Sequence, residues 1–457
     1  MLTTTTKKYL NTLSWICAGL FLTVSCIQKQ QEGEEEGWLE LFNGKDLTGW
    51  RVSETPESWS VQEGFLTGVG ERAHLFYEGE ALQDGFTDFE LIAEVMTGEH
   101  ANSGIYFHTE YQEENWPAKG SEVQVNNTHV GIHGYVEFKK TGSLYGVRNT
   151  YKAYAKDNEW FTMKIKVVGN HVRVWVNEVN TIDYLIPENR TTNNESQKQQ
   201  PSSGTFALQC HDPGSMVKYR SVKVRRLEAS QAQMAPGEIS GAWKDRMQGL
   251  QNKGFPFVDL DPQPDALPGI ETLVKYYYHT GINMASLSKA SELDDLPTLS
   301  AKLESWKNLP LFFGIKVSSR DLNKLREENM QLFDFVIGEV EVDSSGNNDY
   351  VDKAKELLTS NHIDIWSKAF HVPGGIQLPE SAVDELLSLA AGNNVAIEID
   401  NVLKIPSKEV IARAKELGCK FTFCHLFPEE RVESSSYVMD ILEEVEIKYT
   451  DIHVPGW

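Results

Sequence analysis

Residues 163–176 read MKIKVVGNHVRVWV, and this stretch decides the fold of the first half of the chain. Apolar residues occupy alternate positions on both sides of the Gly169–Asn170 pair. Alternation puts one face of a strand into a core, and a Gly-Asn pair between two such runs is typical of a tight hairpin turn. We therefore predict two antiparallel strands connected by this turn.

The same pattern extends outward from the hairpin. Short alternating runs, such as the one from Phe89 to Val95, recur between turn signals from Trp38 to Val224. Few stretches in this part have the 3.6-residue period of a helix. Many short strands with frequent turns are typical of antiparallel sandwiches. Residues 37–228 are therefore predicted to form an all-β sandwich domain.

The chain changes character after residue 228. Residues 229–250 begin with ASQAQMAPGEISG and are predicted to be a linker. Short apolar runs then alternate with amphipathic stretches, of which 381–391 and 407–417 are helix candidates. The predicted strands are 257–260, 283–287, 311–317, 333–340, 363–369, 395–400 and 420–425. Seven such repeats predict an α/β barrel of the closed, parallel (βα)7 type over residues 251–457, and so a multidomain chain.

The N-terminus has the features of a secretory signal. Lys7 and Lys8 precede an apolar run at 13–24, which is too short to span a membrane stably. Ser25 and Cys26 follow, as at the processing site of a bacterial lipoprotein, where the Cys carries the lipid.

These features predict a lipoprotein signal peptide at 1–25, lipidation of Cys26 and an acidic tether at 26–36. The lipid would attach the protein to the bacterial cell envelope, either in the periplasm or on the surface of the outer membrane. Thr23 departs from the aliphatic residue that is usual three positions before the Cys. A plain signal peptide that ends in Cys is therefore the alternative.

Composition excludes one class of partner. The 66 acidic residues outnumber the 43 basic ones, and the formal net charge is −23. Nucleic acids are bound by basic surfaces, so no nucleic-acid partner is expected. The spacing of Cys210, Cys419 and Cys424 indicates neither a disulfide framework nor a zinc site, and we interpret Cys419 and Cys424 as core thiols.

A set of motifs gives the first half a family resemblance. The motifs are WLELFNGKDLTGW (38–50), WSVQEG (59–64), DFEL (88–91), NSGIYF (102–107), EVQ (122–124), GSLYG (142–146) and GTFALQ (204–209). In this order they resemble the 3-keto-disaccharide hydrolase family over nearly all of residues 37–228. The resemblance implies a concanavalin-like jelly roll. It also implies an enzyme that cleaves glycosides oxidised to a ketone at C3 of the sugar.

Such chemistry makes definite demands on side chains. The ketone acidifies the C2 hydrogen, so a base removes it, an enolate forms and the aglycone is eliminated. Residues two apart in a strand share a face. The predicted polar pairs are Glu122 with Gln124, Tyr106 with His108, and Gln209 with His211. If the pairs converge on one concave sheet, they form a sugar cleft; the alternative is an ordinary solvent-facing strand surface.

We assign roles on this basis. Glu122 is the predicted general base, and His108 and His211 are candidates for stabilising the enolate or acting as the acid. Sugar hydroxyls are predicted to be held by Tyr106, Gln124, Tyr145 and Gln209. Two tryptophans are candidate platforms for stacking on a sugar ring, Trp116 and Trp175.

Two positions depart from the family pattern. His108 replaces an Arg, and Asn127 replaces an Asp that usually follows the Glu-x-Gln motif. These changes favour a divergent enzyme. They also keep open the alternative of a carbohydrate-binding lipoprotein without turnover.

The second half resembles the polymerase-and-histidinol-phosphatase (PHP) superfamily, whose members are barrels with catalytic metals. The motifs that carry the resemblance include FVDL (257–260), NVAIEIDN (394–401), KIPS (404–407) and AKELGCKFTF (414–423). Active members have a His-x-His pair after the first strand, where this chain has Asp261-Pro262-Gln263. Imidazoles bind such metals better than Asp and Gln do, so we predict that the metal site is lost.

We assign no cofactor, and a divalent metal remains the alternative. The residues that could rebuild a site for a hard cation at the C-terminal rim of the barrel are Asp261, Glu341, His371, Asp400 and His425.

Overall fold

The computed structural model describes residues 37–187, 202–228, 242–262, 269–342, 347–375, 377–426 and 436–456. The predicted signal peptide, Cys26 and the acidic tether lie outside the described residues, so they stay predictions. None of the helices among the described residues has the length and apolarity needed to cross a bilayer.

The first half forms two antiparallel sheets that pack face to face. The strands of the larger sheet are β1 (Leu39–Glu40), β3 (Trp59–Gln62), β4 (Phe65–Gly68), β6 (Phe89–Thr97), β9 (Phe161–Val168), β10 (His171–Val176), β11 (Val179–Leu185) and β13 (Val217–Arg226). Their order is β11-β10-β9-β6-β13-β4-β3, with β1 paired to β13. The predicted hairpin is confirmed, because β9 and β10 pair with Ile165 opposite Val174.

The smaller sheet carries the candidate site. Its strands are β2 (Trp50–Val52), β5 (Ala73–Tyr77), β7 (Ser103–Thr109), β8 (Ser121–Val125) and β12 (Thr205–Cys210), in the order β2-β5-β12-β7-β8. Its inner face contributes Ile105, Val123 and Leu208 to a core shared with Leu91 and Ile165 of the larger sheet. Burial of each such side chain stabilises the fold by about 1.5–3 kcal/mol.

The second half is a closed parallel barrel of seven strands, as predicted. Its strands are β14 (Val258–Asp259), β15 (Asn283–Lys289), β16 (Phe312–Ser318), β17 (Phe335–Glu339), β18 (Ile365–Ser367), β19 (Ala396–Asp400) and β20 (Phe421–Cys424). The helices are α1 (Ala242–Asn252), α2 (Ile270–Thr280), α3 (Leu296–Ser305), α4 (Glu327–Met330), α5 (Asn347–Thr359), α6 (Glu380–Gly392), α7 (Lys408–Glu416) and α8 (Ser436–Glu444).

Two local features follow from the sequence. Ser407 caps α7 by accepting a hydrogen bond from the amide of Val410, and Gly418 follows the helix with a φ of 83°.

The linker prediction is wrong at its end, because α1 begins at Ala242. The Arg246 guanidinium of α1 pairs with Glu443 of α8, so the first helix belongs to the barrel.

The two halves are in contact. The long connection between β8 and β9 leaves the sandwich, and its residues Phe138 and Tyr151 join the hydrophobic core of the barrel. The main-chain amide of Tyr151 donates to the side chain of Asn283, the first residue of β15. The connection therefore lies against the N-terminal end of the barrel, opposite the end where barrels usually bind ligands.

Candidate active site

Polar side chains line the outer face of the smaller sheet. The register pairs Glu122 of β8 with Tyr106 of β7, and Gln124 with Gly104. On the other side of β12, Gln209 is opposite His74 of β5. Four neighbouring strands thus present polar groups on one shared face of the sheet, here called the cleft.

Gly104 provides the space that Glu122 occupies. A Cβ atom at position 104 would lie 2.9 Å from both Cγ and Cδ of Glu122, and closer still to Oε1. The carboxylate therefore extends across the strand over a position without a side chain. Because Gly104 does not have a positive φ, the reason for glycine here is this close approach and not the backbone conformation.

Glu122 is held by two hydrogen-bond donors. The Tyr106 hydroxyl donates to Oε2 at 2.9 Å, and Gln209 Nε2 donates to Oε1 at 3.0 Å. Burial raises the pKa of the Glu122 carboxyl from 4.5 to about 7, although these two hydrogen bonds lower it. A carboxyl group with a pKa near neutral can take up and return a proton, as a general base requires.

His74 belongs to the site, but we did not predict it. It is fully buried, and its ring makes edge contacts with Tyr106 and Trp116, with centroids 5.5 and 5.6 Å apart. Burial lowers its pKa to about 4, so the imidazole is neutral near pH 7. Neither ring nitrogen has a hydrogen-bond partner among the described residues. The sequence around His74 has the pattern of an ordinary buried strand and does not indicate a site residue.

A partly buried ammonium group, that of Lys139, lies beside the Glu137 carboxylate. Lys139 Nζ is 3.2 Å from Glu137 Oε1 and 4.6 Å from the centre of the Tyr145 ring. Burial opposes the charge of Lys139, but Glu137, Tyr145 and Tyr151 together outweigh it and raise the pKa of the ammonium. The charges of Lys139 and Glu137 both act on the pKa of Glu122. Sequence reasoning missed both residues because the connection that carries them has no regular period.

Tyr145 lies in the same group as Lys139 and Glu137. Its hydroxyl is 3.5 Å from Glu137 Oε2. Burial raises its pKa to about 12, so the phenol keeps its proton and can donate a hydrogen bond.

The other predicted cleft residues form a rim. Gln124 Nε2 donates to Asn102 Oδ1 at 2.9 Å, and Asn102 Nδ2 donates to the Tyr135 hydroxyl at 3.0 Å. The His211 ring lies between Trp116 and Tyr135, with centroids 5.1 and 5.8 Å away. Trp116 is 41% exposed, which leaves part of an aromatic surface open at this edge.

The prediction that His108 shares the cleft face with Tyr106 is wrong. The pairing of β7 with β12 is irregular next to His108, whose φ is 56°, and a bulge of this kind redirects a side chain. His108 Nε2 instead contacts the carbonyl oxygen of Thr87 at 2.8 Å, and the ring packs against Phe89. His108 is therefore a buried structural residue.

Two further residues lie apart from the cleft centre. The Asn127 side chain donates to Thr97 Oγ1 at 2.9 Å and accepts from Thr141 Oγ1 at 2.6 Å, so its amide joins neighbouring segments of the sandwich. Trp175 is on β10 of the other sheet, with Lys164 Nζ 4.1 Å from its ring centre. Trp175 therefore does not share a sheet with Glu122, and its role as a stacking platform stays a prediction.

The C-terminal end of the barrel brings together only part of the predicted metal site. Asp261 pairs with Lys316 at 2.7 Å, Glu341 pairs with Arg320, and His371 is exposed. The five predicted residues therefore do not form one ligand set.

Asp400 and His425 do meet, with 3.0 Å between Oδ2 and Nδ1. Together with Cys424 they place potential ligand atoms within 4.8 Å of one another. Asp400 Oδ1 also accepts two main-chain hydrogen bonds, from Val402 and Leu403. The trio can be read as a small metal-ligand set or as a hydrogen-bonded pair beside a core thiol.

The first half of the chain matches one known family. Residues 37–225 match the model of the 3-keto-alpha-glucoside-1,2-lyase-like domain, which indicates a domain that acts on or binds carbohydrate. No curated protein sequence matches the chain.

Solved structures with similarity to the chain include a protein of Parabacteroides distasonis ATCC 8503 proposed to be a glycosyl hydrolase. It is 22% identical, with a TM-score of 0.36, over 43% of this chain and 97% of that structure. Another is the carbohydrate-binding module CBM66 of Bacillus subtilis. It is 15% identical, with a TM-score of 0.25, over 41% of this chain and 95% of that module.

Proposed function

We propose that the sandwich domain is a lyase or hydrolase that cleaves glycosides carrying a ketone at C3 of the sugar. The observation that carries the proposal is the Glu122 carboxyl, which has a pKa of about 7 and is held by Tyr106 and Gln209 in a polar cleft. The match of residues 37–225 to a 1,2-lyase-like domain supports the same chemistry.

Glu122 acts as the base in the first step. Its carboxylate removes the hydrogen from C2, and the electron pair of that C–H bond moves into the C3 carbonyl to give an enolate. The hydrogen bonds from Tyr106 and Gln209 fix the direction of the carboxylate, which is what an efficient proton transfer requires. Substrate reaches Glu122 because the residue stays partly exposed.

The second step breaks the bond between C1 and the aglycone oxygen. The enolate electrons form a C1–C2 double bond, and the leaving oxygen takes a proton from the protonated Glu122 carboxyl or from a nearby acid. Addition of water to the double bond would complete a net hydrolysis, whereas release of the unsaturated sugar would complete a lyase reaction. His211 and Tyr145 are the candidate acids on the remaining sides of the cleft.

Lys139 is the best candidate for stabilising the enolate. Its ammonium is partly buried, positively charged and close enough to lower the pKa of Glu122. A fixed positive group in a partly desolvated site stabilises a developing oxyanion more than water would. We therefore assign the role of stabilising the enolate to Lys139 and no longer to His108.

The second candidate function is carbohydrate binding without turnover. The observation that favours it is the rim, where Trp116 is 41% exposed and its ring centre lies 5.1 Å from that of His211. An exposed aromatic ring offers an apolar surface to the C–H groups of a sugar. This alternative predicts saturable binding by calorimetry and an intact ligand in mass spectrometry.

The test compares two Glu→Gln variants of the full chain with an aryl 3-keto-α-glucoside as substrate. Glu122→Gln removes the base, whereas Glu110→Gln changes an exposed carboxylate that pairs only with Lys119 among the described residues. We expect release of the aryl alcohol by the wild type and by E110Q, and a loss of at least about 100-fold in E122Q. Binding of intact substrate by all three proteins would instead establish the second candidate.

A further inference from the structure

One segment of the chain connects the cleft with the barrel. Residues 137–152, here called the bridging segment, belong to the connection between β8 and β9. Glu137, Lys139 and Tyr145 of this segment are in the cleft group, whereas Phe138 and Tyr151 are buried in the core of the barrel. Neighbouring residues therefore serve the two halves at once, so the position of one set depends on the anchoring of the other.

Asn283 of the barrel holds the bridging segment by two hydrogen bonds. Its Nδ2 donates to the carbonyl oxygen of Asn149 at 2.7 Å, and its Oδ1 accepts from the amide of Tyr151 at 3.0 Å. Asn283 is 1% exposed. The donor and the acceptor of this buried side-chain amide are thus both paired with main-chain groups of the bridging segment. Two such bonds fix the alignment of the segment along β15 as well as its distance from the barrel.

The hydrogen bonds continue from Asn149 to the strand that bears the base. The Asn149 side chain accepts from the amide of Gly146 at 3.1 Å. The amide of the preceding residue, Tyr145, donates to the carbonyl oxygen of Glu122 at 2.9 Å. The turn at Tyr145 is therefore tied to the barrel on one side and to β8 on the other.

Other contacts anchor the same segment to the same end of the barrel. Lys152 Nζ donates to the carbonyl oxygen of Leu311 at 2.9 Å and to Asp334 Oδ2 at 2.5 Å. Arg148 Nε donates to the carbonyl oxygen of His279 at 2.9 Å. These acceptors come from three different places around the N-terminal end, so the barrel supports the segment over a broad surface.

We propose that the barrel is a positioning element of the sandwich cleft, and that Asn283 is the positioning residue through which it holds Lys139 and Tyr145. This inference rests on the proposed function, because Lys139 and Tyr145 matter only if the cleft does chemistry. It gives the barrel a role that needs no metal and no substrate of its own.

The test is Asn283→Ala in the full chain, with Asn329→Ala as the matched control. Asn329 is also a buried barrel asparagine with two main-chain hydrogen bonds, but these join Arg326 and Lys324 within the barrel. Displacement of positioned groups by about 1 Å can lower a rate by about 100-fold. We expect N283A to lower kcat by at least about tenfold with less than about threefold change in KM, and N329A to leave both within about twofold.

Amide hydrogen exchange provides the second measurement and does not depend on turnover. N283A should accelerate exchange at Tyr151 and at Gly146, whereas N329A should not. If the wild type turns over and N283A keeps the kcat of N329A, the inference is wrong. If no protein turns over, the proposed function fails, and unchanged exchange at Gly146 in N283A would overturn the positioning claim separately.

A second variant covers the case in which N283A does not fold. Asn149→Ala lies on the sandwich side and removes the side-chain acceptor for Gly146 together with a side-chain hydrogen bond to Tyr151, so the barrel keeps all its own residues. The inference expects the same fall in kcat for this variant. A kcat within about twofold of the wild type in a folded N149A protein would contradict it.

Discussion

Gly104→Ala tests the cleft geometry with a single methyl group. The added Cβ would lie 2.9 Å from Cγ and Cδ of Glu122, whereas ordinary carbon contacts are about 3.5–4.0 Å. The carboxylate must therefore retreat by about 1 Å, and it then loses the hydrogen bonds from Tyr106 and Gln209. A displacement of this size predicts a fall in kcat of about 100-fold, which corresponds to about 2.7 kcal/mol.

The assay is release of the aryl alcohol from the 3-keto-glucoside, together with thermal unfolding. Overpacking costs about 1–3 kcal/mol of stability, so G104A should remain folded at 25 °C. Gly98→Ala is the control, because its Cβ would meet the flexible end of Met216 at 3.2 Å and lies away from Glu122. Wild-type kcat in a folded G104A protein would refute the assignment of Glu122 as the base.

Further predictions concern ionisation and the corrected histidine. The pKa of Glu122 is raised from 4.5 to about 7 in the folded protein, so its contribution to stability is complete below about pH 4.5 and is lost as the pH rises through 7. Urea unfolding at pH 5 and pH 8 should therefore show a loss of up to about 3 kcal/mol in the free energy of unfolding, and E122Q should lack this loss. An equal pH dependence of stability in both proteins would contradict the raised pKa. The Tyr106 hydroxyl lowers the pKa of Glu122, so Tyr106→Phe should move the ascending limb of the kcat/KM profile to higher pH; a limb that stays in place or moves down would count against this hydrogen bond. His108→Asn should destabilise the protein by about 1 kcal/mol and leave kcat within about twofold, whereas His211→Ala should lower kcat. A larger loss of kcat in H108N than in H211A would contradict the assignment of His108 as a structural residue.

Regular patterns made much of the fold predictable. The alternation around Gly169–Asn170 predicted the β9–β10 hairpin, and the βα repeats predicted a seven-stranded barrel, both of which the structure contains. Each depends on a period that is local in the sequence. The same alternation brought Glu122, Gln124, Tyr106 and Gln209 onto one face.

What could not be predicted depends on long-range pairing. His74 lines the cleft because β5 lies beside β12, far away in the sequence. Lys139 does so because the barrel supports an irregular connection. The prediction for His108 was wrong for a local reason. An irregularity of β7 next to this residue interrupts the alternation that the sequence continues. The roles assigned to Cys26 and the tether stay predictions.

The fate of the C2 hydrogen tests the central claim most directly. The substrate is an aryl 3-keto-α-glucoside with deuterium at C2, and the sugar released at early times by the full-length protein is analysed by mass spectrometry. Elimination through Glu122 predicts a sugar that has lost its deuterium, a slower release than from the unlabelled substrate, and a release by E122Q that is at least about 100-fold slower than by the wild type. A released 3-keto sugar that still carries deuterium at C2, formed as fast as from the unlabelled substrate, would mean direct displacement at C1 and would contradict the account.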